Sequence, residues 1–371
     1  MMGPIKNCVS IVLITIVLFL AFDLMLSRLA FNPNTWSDNN ITTGVAHPVY
    51  HHDLKQNLDI ITTWGPIKYR LCTNQFGFKV SCNNAKEIRK DFDVAFIGDS
   101  FTEAIGMTYE DSFVGLYAQK HPDIAVANFG VRSYSPSIYW KKIEFLLNNG
   151  FTFKHLVVLP DTSDIRDEAF WYAIDEKSGA VIDNAKRGVN EEENTNIQNQ
   201  NSFHIFLMKY FKFTWYINCI INDFFSNDEA VFKDVLKNVV EHPAAAWTRN
   251  IDSAYSDNEE ILNGLKKCLE YMRNLKQLLD KHNIKMTVVV YPWPTQLFFV
   301  NQSNLSVKIW KDFCIQEKCY NYIDANQFFF DAIQKSSKIE VIKKYYIHDD
   351  THFNEEGNKK IFEMINTYLK Q

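Results

Sequence analysis

Ser100 is the residue best placed for nucleophilic chemistry. It follows Gly98 and Asp99 in the segment Gly-Asp-Ser-Phe-Thr, which comes directly after an apolar run that is typical of a buried strand. A tight turn from strand to helix at this point would expose the Ser100 hydroxyl and direct helix amides at a developing oxyanion. This arrangement predicts a nucleophile for acyl transfer.

A serine nucleophile needs a base, and the segment near the C-terminus contains one. His352 follows Asp349 by three residues in the segment Asp-Asp-Thr-His. This spacing lets the carboxylate accept the imidazole Nδ1–H while Nε2 faces the serine. We therefore predict Ser100, His352 and Asp349 as the catalytic residues. Two alternatives stay open: an ordinary entry to the last helix with Asn354 as its cap, or Asp350 as the partner of the histidine.

Short apolar runs alternate with amphipathic stretches between these two segments. Strands are predicted at residues 92–97, 124–129, 156–159, 286–291 and 320–323. The clearest helical spacing of apolar residues runs from 261 to 279. Alternation of this kind predicts an α/β fold, a three-layer α/β/α sandwich with a parallel, flavodoxin-like sheet. Ligands of such sheets bind at the carboxyl ends of the strands, where Ser100 is expected.

The N-terminal residues 1–31 are predicted to form a membrane anchor with one transmembrane helix. Cys8–Phe22 contains no charge, and about 20 apolar residues cross a bilayer. Asp23 interrupts the apolar run, so we expect its carboxylate to reach water or headgroups. No Ala-x-Ala-like cleavage site follows. We expect an uncleaved, single-pass anchor that places the remaining chain on the periplasmic or extracytoplasmic side.

The rest of the chain divides into two regions by composition. Residues 32–90 are interpreted as a linker and preface segment, and 91–371 as the catalytic domain. The alternation stops at about 165–255, which predicts a mainly helical insertion. Its aromatic-rich part, 203–225, either packs on the main domain or lies at the bilayer surface.

Cysteine spacing bears on the compartment of the protein. Two pairs lie close in sequence and are disulfide candidates: Cys72 with Cys82, and Cys314 with Cys319. Reduced thiols are the alternative, but an anchor before these cysteines favours the oxidised form.

We predict no metal and no cofactor. No Cys-x-x-Cys spacing occurs in the chain. The preface contains three closely spaced histidines, His47, His51 and His52. We interpret them as part of a solvated loop, because no acidic or thiol partner is spaced to complete a metal shell.

Together, the Gly-Asp-Ser and Asp-x-x-His blocks resemble those of the SGNH/GDSL hydrolase family, over about residues 91–370. In that family a glycine after the second strand supplies an oxyanion amide, and Asn-Phe-Gly at 128–130 stands at the matching place. The third block of the family reads Gly-x-Asn-Asp, whereas this chain has Asp-Thr-Ser-Asp at 161–164. Ser163 thus replaces an asparagine donor, a loss that typically lowers turnover about a hundredfold or more.

The resemblance implies particular roles at the site. The amides of Ser100 and Gly130 would form the oxyanion hole, with the Ser163 hydroxyl as a shorter substitute for the asparagine. Asp99 and Asn128 would contribute to substrate binding. The variation in the third block is similar to that of the membrane-anchored glycan O-acetyltransferase and esterase branch. Trp293 follows the fourth predicted strand, where it could stack on a sugar ring or simply pack in a rigid turn.

These features favour a membrane-anchored esterase or O-acyltransferase of the cell envelope, acting on a carbohydrate or lipid-linked ester. The net charge of -5 excludes a nucleic-acid binder by bulk charge. Two other functions stay open: a glycan-binding or assembly protein whose chemistry has lapsed, and a lipase or phospholipase at the bilayer, for which 203–225 would matter.

Overall fold

The computed structural model describes most of the catalytic region and parts of the N-terminal region. The described residues are 14–15, 18–25, 43–65, 67–184, 214, 248, 258–299 and 305–369. The chain divides into two compact units, one of residues 1–38 and 191–234 and one of residues 39–190 and 235–371. Apart from Thr214, the aromatic-rich segment 203–225 lies outside the described residues, so its predicted role is untested.

A parallel sheet of five strands lies at the centre of the larger unit. The strands of the described residues are β1 (Gly44–His47), β2 (His51–Leu54), β3 (Asp59–Trp64), β4 (Ile67–Cys72), β5 (Asp91–Gly98), β6 (Val126–Asn128), β7 (Thr152–Leu159), β8 (Tyr172–Ile174), β9 (Val181–Asp183), β10 (Lys285–Val290) and β11 (Asn321–Asp324). The central sheet has the order β11-β10-β7-β5-β6, and all its pairings are parallel. This order is the predicted flavodoxin-like one, and it reverses between β5 and β7.

Helices cover both faces of this sheet. Within the described residues of this unit, the helices are α1 (Ser100–Glu103), α2 (Phe113–Lys120), α3 (Pro136–Asn148), α4 (Ser163–Phe170), α5 (Glu259–Lys281), α6 (Pro294–Phe299), α7 (Leu305–Gln316), α8 (Asn326–Lys335), α9 (Lys338–Tyr345) and α10 (Glu355–Leu369). Helix α5 packs against α3 and α4, and α10 packs against α2. The predicted α/β architecture is therefore confirmed.

Side-chain alternation along β5 explains the two layers. Ala95 and Ile97 belong to a large core cluster that also contains buried residues of α3, α5 and α7. Phe96 points to the opposite face, where its ring contacts Phe113 and Tyr117 of α2. Because both faces of a parallel strand are covered, β5 is a continuous apolar run rather than an alternating one. This is why its position could be predicted from the sequence.

Among the described residues, three small antiparallel hairpins accompany the central sheet. Two belong to the preface, formed by β1 with β2 and by β3 with β4. The third, β8 with β9, lies at the start of the segment that was predicted to be mainly helical, so that prediction is wrong for residues 172–183. Apart from Thr214 and Thr248, residues 185–257 of the predicted insertion lie outside the described residues, and α5 begins at Glu259 with Asn258 as its cap.

The preface histidines do not lie in a solvated loop, contrary to the prediction. His52 lies in β2, and its Nε2 is 2.8 Å from the Arg132 carbonyl oxygen, so this nitrogen carries a proton. Burial, the largest effect, lowers the pKa of His52 to about 4, so its other nitrogen is an acceptor. His51 Nδ1 lies 2.8 Å from that acceptor, and it must therefore donate. His51 and His52 thus bind each other, and His52 also binds the Arg132 carbonyl, while His47 accepts from the amides of Val49 and Tyr50.

In the N-terminal unit, residues 18–25 are helical and carry exposed apolar side chains, including Leu18 and Phe22. Asp23 was predicted to reach water or headgroups, but its side chain is fully buried. It accepts hydrogen bonds from the amide and the hydroxyl of Thr214. Over the described residues, none of the helices combines the length and the apolar character that a membrane crossing needs.

Both predicted cysteine pairs are joined as disulfides. The Cα atoms are 5.1 Å apart for Cys72 and Cys82, and 4.8 Å apart for Cys314 and Cys319. The first bridge links the last residue of β4 to Cys82, at a sequence separation of 10. Cys268 in α5 is a free thiol within the described chain, and burial raises its pKa well above the usual range.

His155 on β7 is expected to make the fold sensitive to acid. Burial, followed by the charge of Lys285, lowers its pKa from 6.5 to about 4. Between these values the unfolded chain binds a proton at this residue and the folded chain does not, so the free energy of unfolding falls as the pH falls. We expect His155→Gln to remove about 2 kcal/mol of the loss between pH 7 and pH 5, measured by urea unfolding of both proteins. An equal pH dependence in both would contradict this.

Candidate active site

The turn between β5 and α1 places Ser100 at the carboxyl edge of the sheet. Asp99 caps α1, because its Oδ1 accepts a hydrogen bond from the Phe101 amide at 2.9 Å. Gly98 permits the turn: a Cβ there would lie 2.2 Å from Thr102 Oγ1. As the first residue of the helix, Ser100 has an amide without an acceptor inside the helix. Its place at the carboxyl edge of the sheet makes that amide a candidate donor to a ligand bound there.

Buried charges hold the other end of this short helix. Lys79 donates to the carbonyl oxygens of Glu103, Ala104 and Met107 at 2.7 to 2.9 Å. The Glu103 carboxylate in turn binds the guanidinium and the amide of Arg132. Burial lowers the pKa of Lys79 to about 8, partly offset by Glu103. A buried ammonium with three acceptors and a nearby carboxylate holds the turn in one conformation.

The two segments predicted to carry the catalytic residues meet at this turn. Ser100 Oγ lies 2.7 Å from His352 Nε2, although the residues are separated by 252 positions. The other ring nitrogen, Nδ1, lies 2.5 Å from Asp350 Oδ1. A carboxylate accepts and cannot donate, so Nδ1 carries the proton and Nε2 faces the serine as an acceptor. The three groups form a continuous chain of hydrogen bonds.

The carboxylate in this chain is Asp350 rather than the predicted Asp349. The Asp350 amide donates to the Ile347 carbonyl, which closes a turn with Asp349 in the left-handed region at φ 54°. The turn directs the side chain of Asp350 back along the chain, where Oδ1 also accepts the amide of His352 at 2.8 Å. A carboxylate that binds the amide two residues later is a common turn of aspartate. The prediction assumed a helical spacing of three, and the loop is tighter.

Trp64 is a member of this site that sequence reasoning missed. Its Nε1 donates to Asp350 Oδ2 at 2.6 Å, and its ring meets the His352 ring edge to face at a centroid distance of 5.4 Å. The residue ends β3 in the preface, outside the predicted catalytic domain. Nothing in the local sequence indicates the contact, because the two residues are 286 positions apart.

The pKa values of the two carboxyl groups near the serine, Asp350 and Asp99, are shifted in opposite directions. Burial acts to raise the pKa of Asp350, but the charge and hydrogen bonds of His352 outweigh it, and the pKa is lowered. The pKa of Asp99 is raised well above its ordinary value, first by burial and then by Asp161. Asp99 Oδ2 lies 3.2 Å from Ser100 Oγ, farther than His352 Nε2 does. The ionised partner of the histidine is thus Asp350, while the neutral form is favoured at Asp99.

Two of the three predicted oxyanion donors are bound to neighbouring residues. The Gly130 amide donates to Asn128 Oδ1 at 2.9 Å. The Ser163 hydroxyl donates to Asp161 Oδ2 at 2.6 Å. Ser100 is the predicted donor whose amide lies at the start of a helix, where it has no acceptor within the helix. The expectation of three converging donors is therefore not met in this structure.

The residues predicted to bind substrate are buried and have structural contacts. Asn128 holds the Thr102 carbonyl at 2.8 Å, and Asp99 caps α1. Trp293 is 6% exposed, and its Nε1 donates to Asp161 Oδ1 at 2.7 Å. A ring buried in this way cannot stack on a sugar from solvent, so the alternative of a packing tryptophan is correct.

Three buried carboxylates lie beside the serine turn. Oxygen atoms of Asp99, Asp161 and Asp164 are all within 4.8 Å of one another, which is a donor set that a hard cation could accept. The pKa of Asp164 is raised well above its ordinary value by burial, Asp99 and Asp161. Protonation relieves the repulsion between these carboxylates as a bound cation would. Asp164 Oδ2 already accepts hydrogen bonds from the Tyr139 hydroxyl and from the Asp161 amide.

No family model matches the chain, and no curated protein matches it. Among solved structures it is similar to SGNH/GDSL esterases. A lipolytic protein of the G-D-S-L family from Veillonella parvula is 11% identical, with a TM-score of 0.39, over 75% of this chain and 98% of that one. The acetylxylan esterase Axe2 from Geobacillus stearothermophilus is 9% identical, with a TM-score of 0.40, over 74% and 93%.

The psychrotrophic esterase EstA from Pseudoalteromonas sp. is a third such structure. It is 11% identical to this chain, with a TM-score of 0.35, over 76% of this chain and all of that one. Likeness at these values concerns the course of the backbone. The chemistry of this chain has to be argued from the atoms of its own site.

Proposed function

We propose that the chain is a serine esterase or O-acyltransferase of the SGNH type. The observation that carries the proposal is the chain of hydrogen bonds from Ser100 Oγ through His352 to Asp350. Its distances and directions are those that an activated serine requires. Composition, fold and sequence blocks agree with the proposal but are less specific than this geometry.

In the proposed mechanism, Ser100 Oγ attacks the carbonyl carbon of an ester while His352 Nε2 takes the hydroxyl proton. Asp350 holds the ring in the required tautomer and stabilises the imidazolium that forms. The Ser100 amide donates to the oxyanion. The imidazolium then returns its proton to the leaving alcohol, and an acyl-enzyme remains on Ser100. Water resolves it in an esterase, and the hydroxyl of an acceptor resolves it in a transferase.

The shortage of available oxyanion donors favours one alternative, a binding or assembly protein on the same fold whose chemistry has lapsed. Ser163 is directed at Asp161, and the Gly130 amide is directed at Asn128. An enzyme that stabilises the oxyanion with a single amide would turn over slowly, since each donor raises kcat by about a hundredfold or more. Both donors belong to short turns, and substrate binding could free either of them at the cost of one hydrogen bond.

We further propose that residues 1–31 anchor the enzyme and that its substrate is an O-acyl ester of an envelope glycan or a lipid-linked sugar. The uncharged segment Cys8–Phe22 and the exposed apolar side chains within 18–25 support an anchor. The two disulfides support an oxidising compartment. Envelope assembly partners are compatible with this location.

Active-site labelling tests the proposal directly. A fluorophosphonate probe is expected to modify Ser100, as located by peptide mass spectrometry, and p-nitrophenyl acetate is expected to be hydrolysed. Addition of a soluble glycan acceptor distinguishes the two reactions: acetyl transfer to the glycan indicates a transferase, and release of acetate alone indicates an esterase. Absence of both labelling and hydrolysis, with retained binding of a glycan, would favour the lapsed protein.

A further inference from the structure

We propose that Trp64 is a positioning residue of the active site, which holds the Asp350 carboxylate through its indole N–H. This inference rests on the proposed function, because it concerns the same histidine. It assigns the preface hairpin a direct part in the chemistry: β3 brings to the site a donor that the catalytic domain does not supply. The hairpin would then be an integral part of the enzyme and not a spacer.

The contacts of Asp350 show why a second donor is required. Oδ1 is shared by the His352 ring and the His352 amide, so both of these hold one oxygen. Oδ2 is held by Trp64 Nε1 at 2.6 Å. Without that bond the carboxylate could rotate about its last side-chain torsion, because such terminal torsions are broad. The indole N–H fixes the plane of the carboxylate and with it the direction of the histidine.

The position of the hairpin is set by packing and does not depend on this hydrogen bond. Trp64 and Ile67, at its tip, pack on a buried cluster of Ala104, Met107 and Ile347. Gly106 lies beside the ring: a Cβ there would lie 3.6 Å from Trp64 Cδ1, an ordinary van der Waals distance. These apolar contacts join the hairpin to both the serine helix and the histidine loop. Loss of the N–H should therefore leave the hairpin in place.

The hydrogen bond also affects the charge that His352 experiences. A donor on Oδ2 withdraws negative charge from the carboxylate, so less of that charge acts on the imidazolium. Without the donor, the full carboxylate charge faces the imidazolium, and the acid limb of kcat/KM moves to higher pH. Asp350 faces the ring directly and Asp99 reaches it through Ser100, while His348 and Asp349 lie in the same loop. The substitution changes none of these groups.

Trp64→Phe tests the role, because it removes the N–H and keeps an aromatic ring. We expect kcat for p-nitrophenyl acetate to fall about tenfold to a hundredfold, the usual effect of a hydrogen bond to a charged group, with KM nearly unchanged. The acid limb of kcat/KM is expected to move to higher pH. Trp310→Phe is the matched control, since Trp310 is a buried tryptophan of α7 in the core cluster. Its kcat and pH profile should equal those of the wild type.

Benzothienylalanine at position 64 keeps the shape of the indole and replaces only the N–H by sulfur. This protein takes the place of Trp64→Phe in the test if Trp64→Phe does not fold, and it should show the same loss of kcat. Normal kcat and an unchanged acid limb with this residue would overturn the proposal and leave Trp64 as a packing residue only.

Proton NMR separates this inference from the proposed function. The Nδ1–H of protonated His352, bound to a carboxylate, should give a resolved downfield signal whether or not the protein turns over esters. We expect the benzothienylalanine protein to shift or broaden that signal while the Trp310→Phe protein does not. An inactive wild type in which the signal responds would contradict the proposed function alone. An active wild type in which the signal does not respond would contradict the role of Trp64 alone.

Discussion

Replacement of Ser100 by alanine is expected to lower ester turnover by about a millionfold, with the fold unchanged. Ser100 Oγ is the only atom removed, and its contacts are His352 Nε2 at 2.7 Å and Asp99 Oδ2 at 3.2 Å. The side chain is only partly buried, so the loss of one oxygen leaves no large cavity. Hydrolysis of p-nitrophenyl acetate measures the first effect, and thermal unfolding measures the second.

Two further proteins make this result specific. Ser178→Ala removes a serine hydroxyl that binds Asp175 in the exposed turn between β8 and β9, and it should keep full activity. The double variant of Ser100→Ala with His352→Ala should be no slower than Ser100→Ala alone, because residues that act as a unit are not additive. Turnover of Ser100→Ala within a few fold of the wild type would refute the assignment of the nucleophile.

Asp350→Asn is expected to have the second largest effect, a loss of about ten-thousandfold in kcat. An amide at this position offers its NH₂ group to Nδ1, which stabilises the tautomer whose proton lies on Nε2. That tautomer cannot accept the Ser100 proton. The measurement is again hydrolysis of p-nitrophenyl acetate.

Asp349→Asn is the matched control, one residue earlier in the same loop. Asparagine tolerates the left-handed conformation at φ 54°, so the turn should persist. We expect activity within a few fold of the wild type. A larger loss from Asp349→Asn than from Asp350→Asn would mean that the loop rearranges in the working enzyme and that the sequence-based choice of Asp349 was correct.

The oxyanion hole shows that matching sequence motifs is not enough to predict which groups act as donors. The block at 128–130 and the replacement at 163 were both read from the sequence, but their hydrogen-bond partners were not. Asn128 binds the Gly130 amide, and Asp161 binds the Ser163 hydroxyl. A residue type limits which bonds are possible, whereas the neighbours determine which bond forms.

Trp293 illustrates the same limit for substrate binding. Its position after β10 was predicted, and the structure places it at that edge of the sheet. Its burial depends on Phe101 and Asp161, which come from other strand ends. Whether a ring at the edge faces solvent or the core is decided by what packs over it, and no periodicity encodes this.

The sequence by itself determined the order of the elements, the parallel sheet and the meeting of Ser100 with His352. Apolar runs without alternation specify buried strands, and their carboxyl ends share one edge of the sheet. Only the tertiary structure decided that Asp350 holds the histidine, that Trp64 holds Asp350 and that Ser163 faces Asp161. These choices depend on a left-handed turn at one residue and on packing between segments up to 286 positions apart, and local spacing carries no record of either.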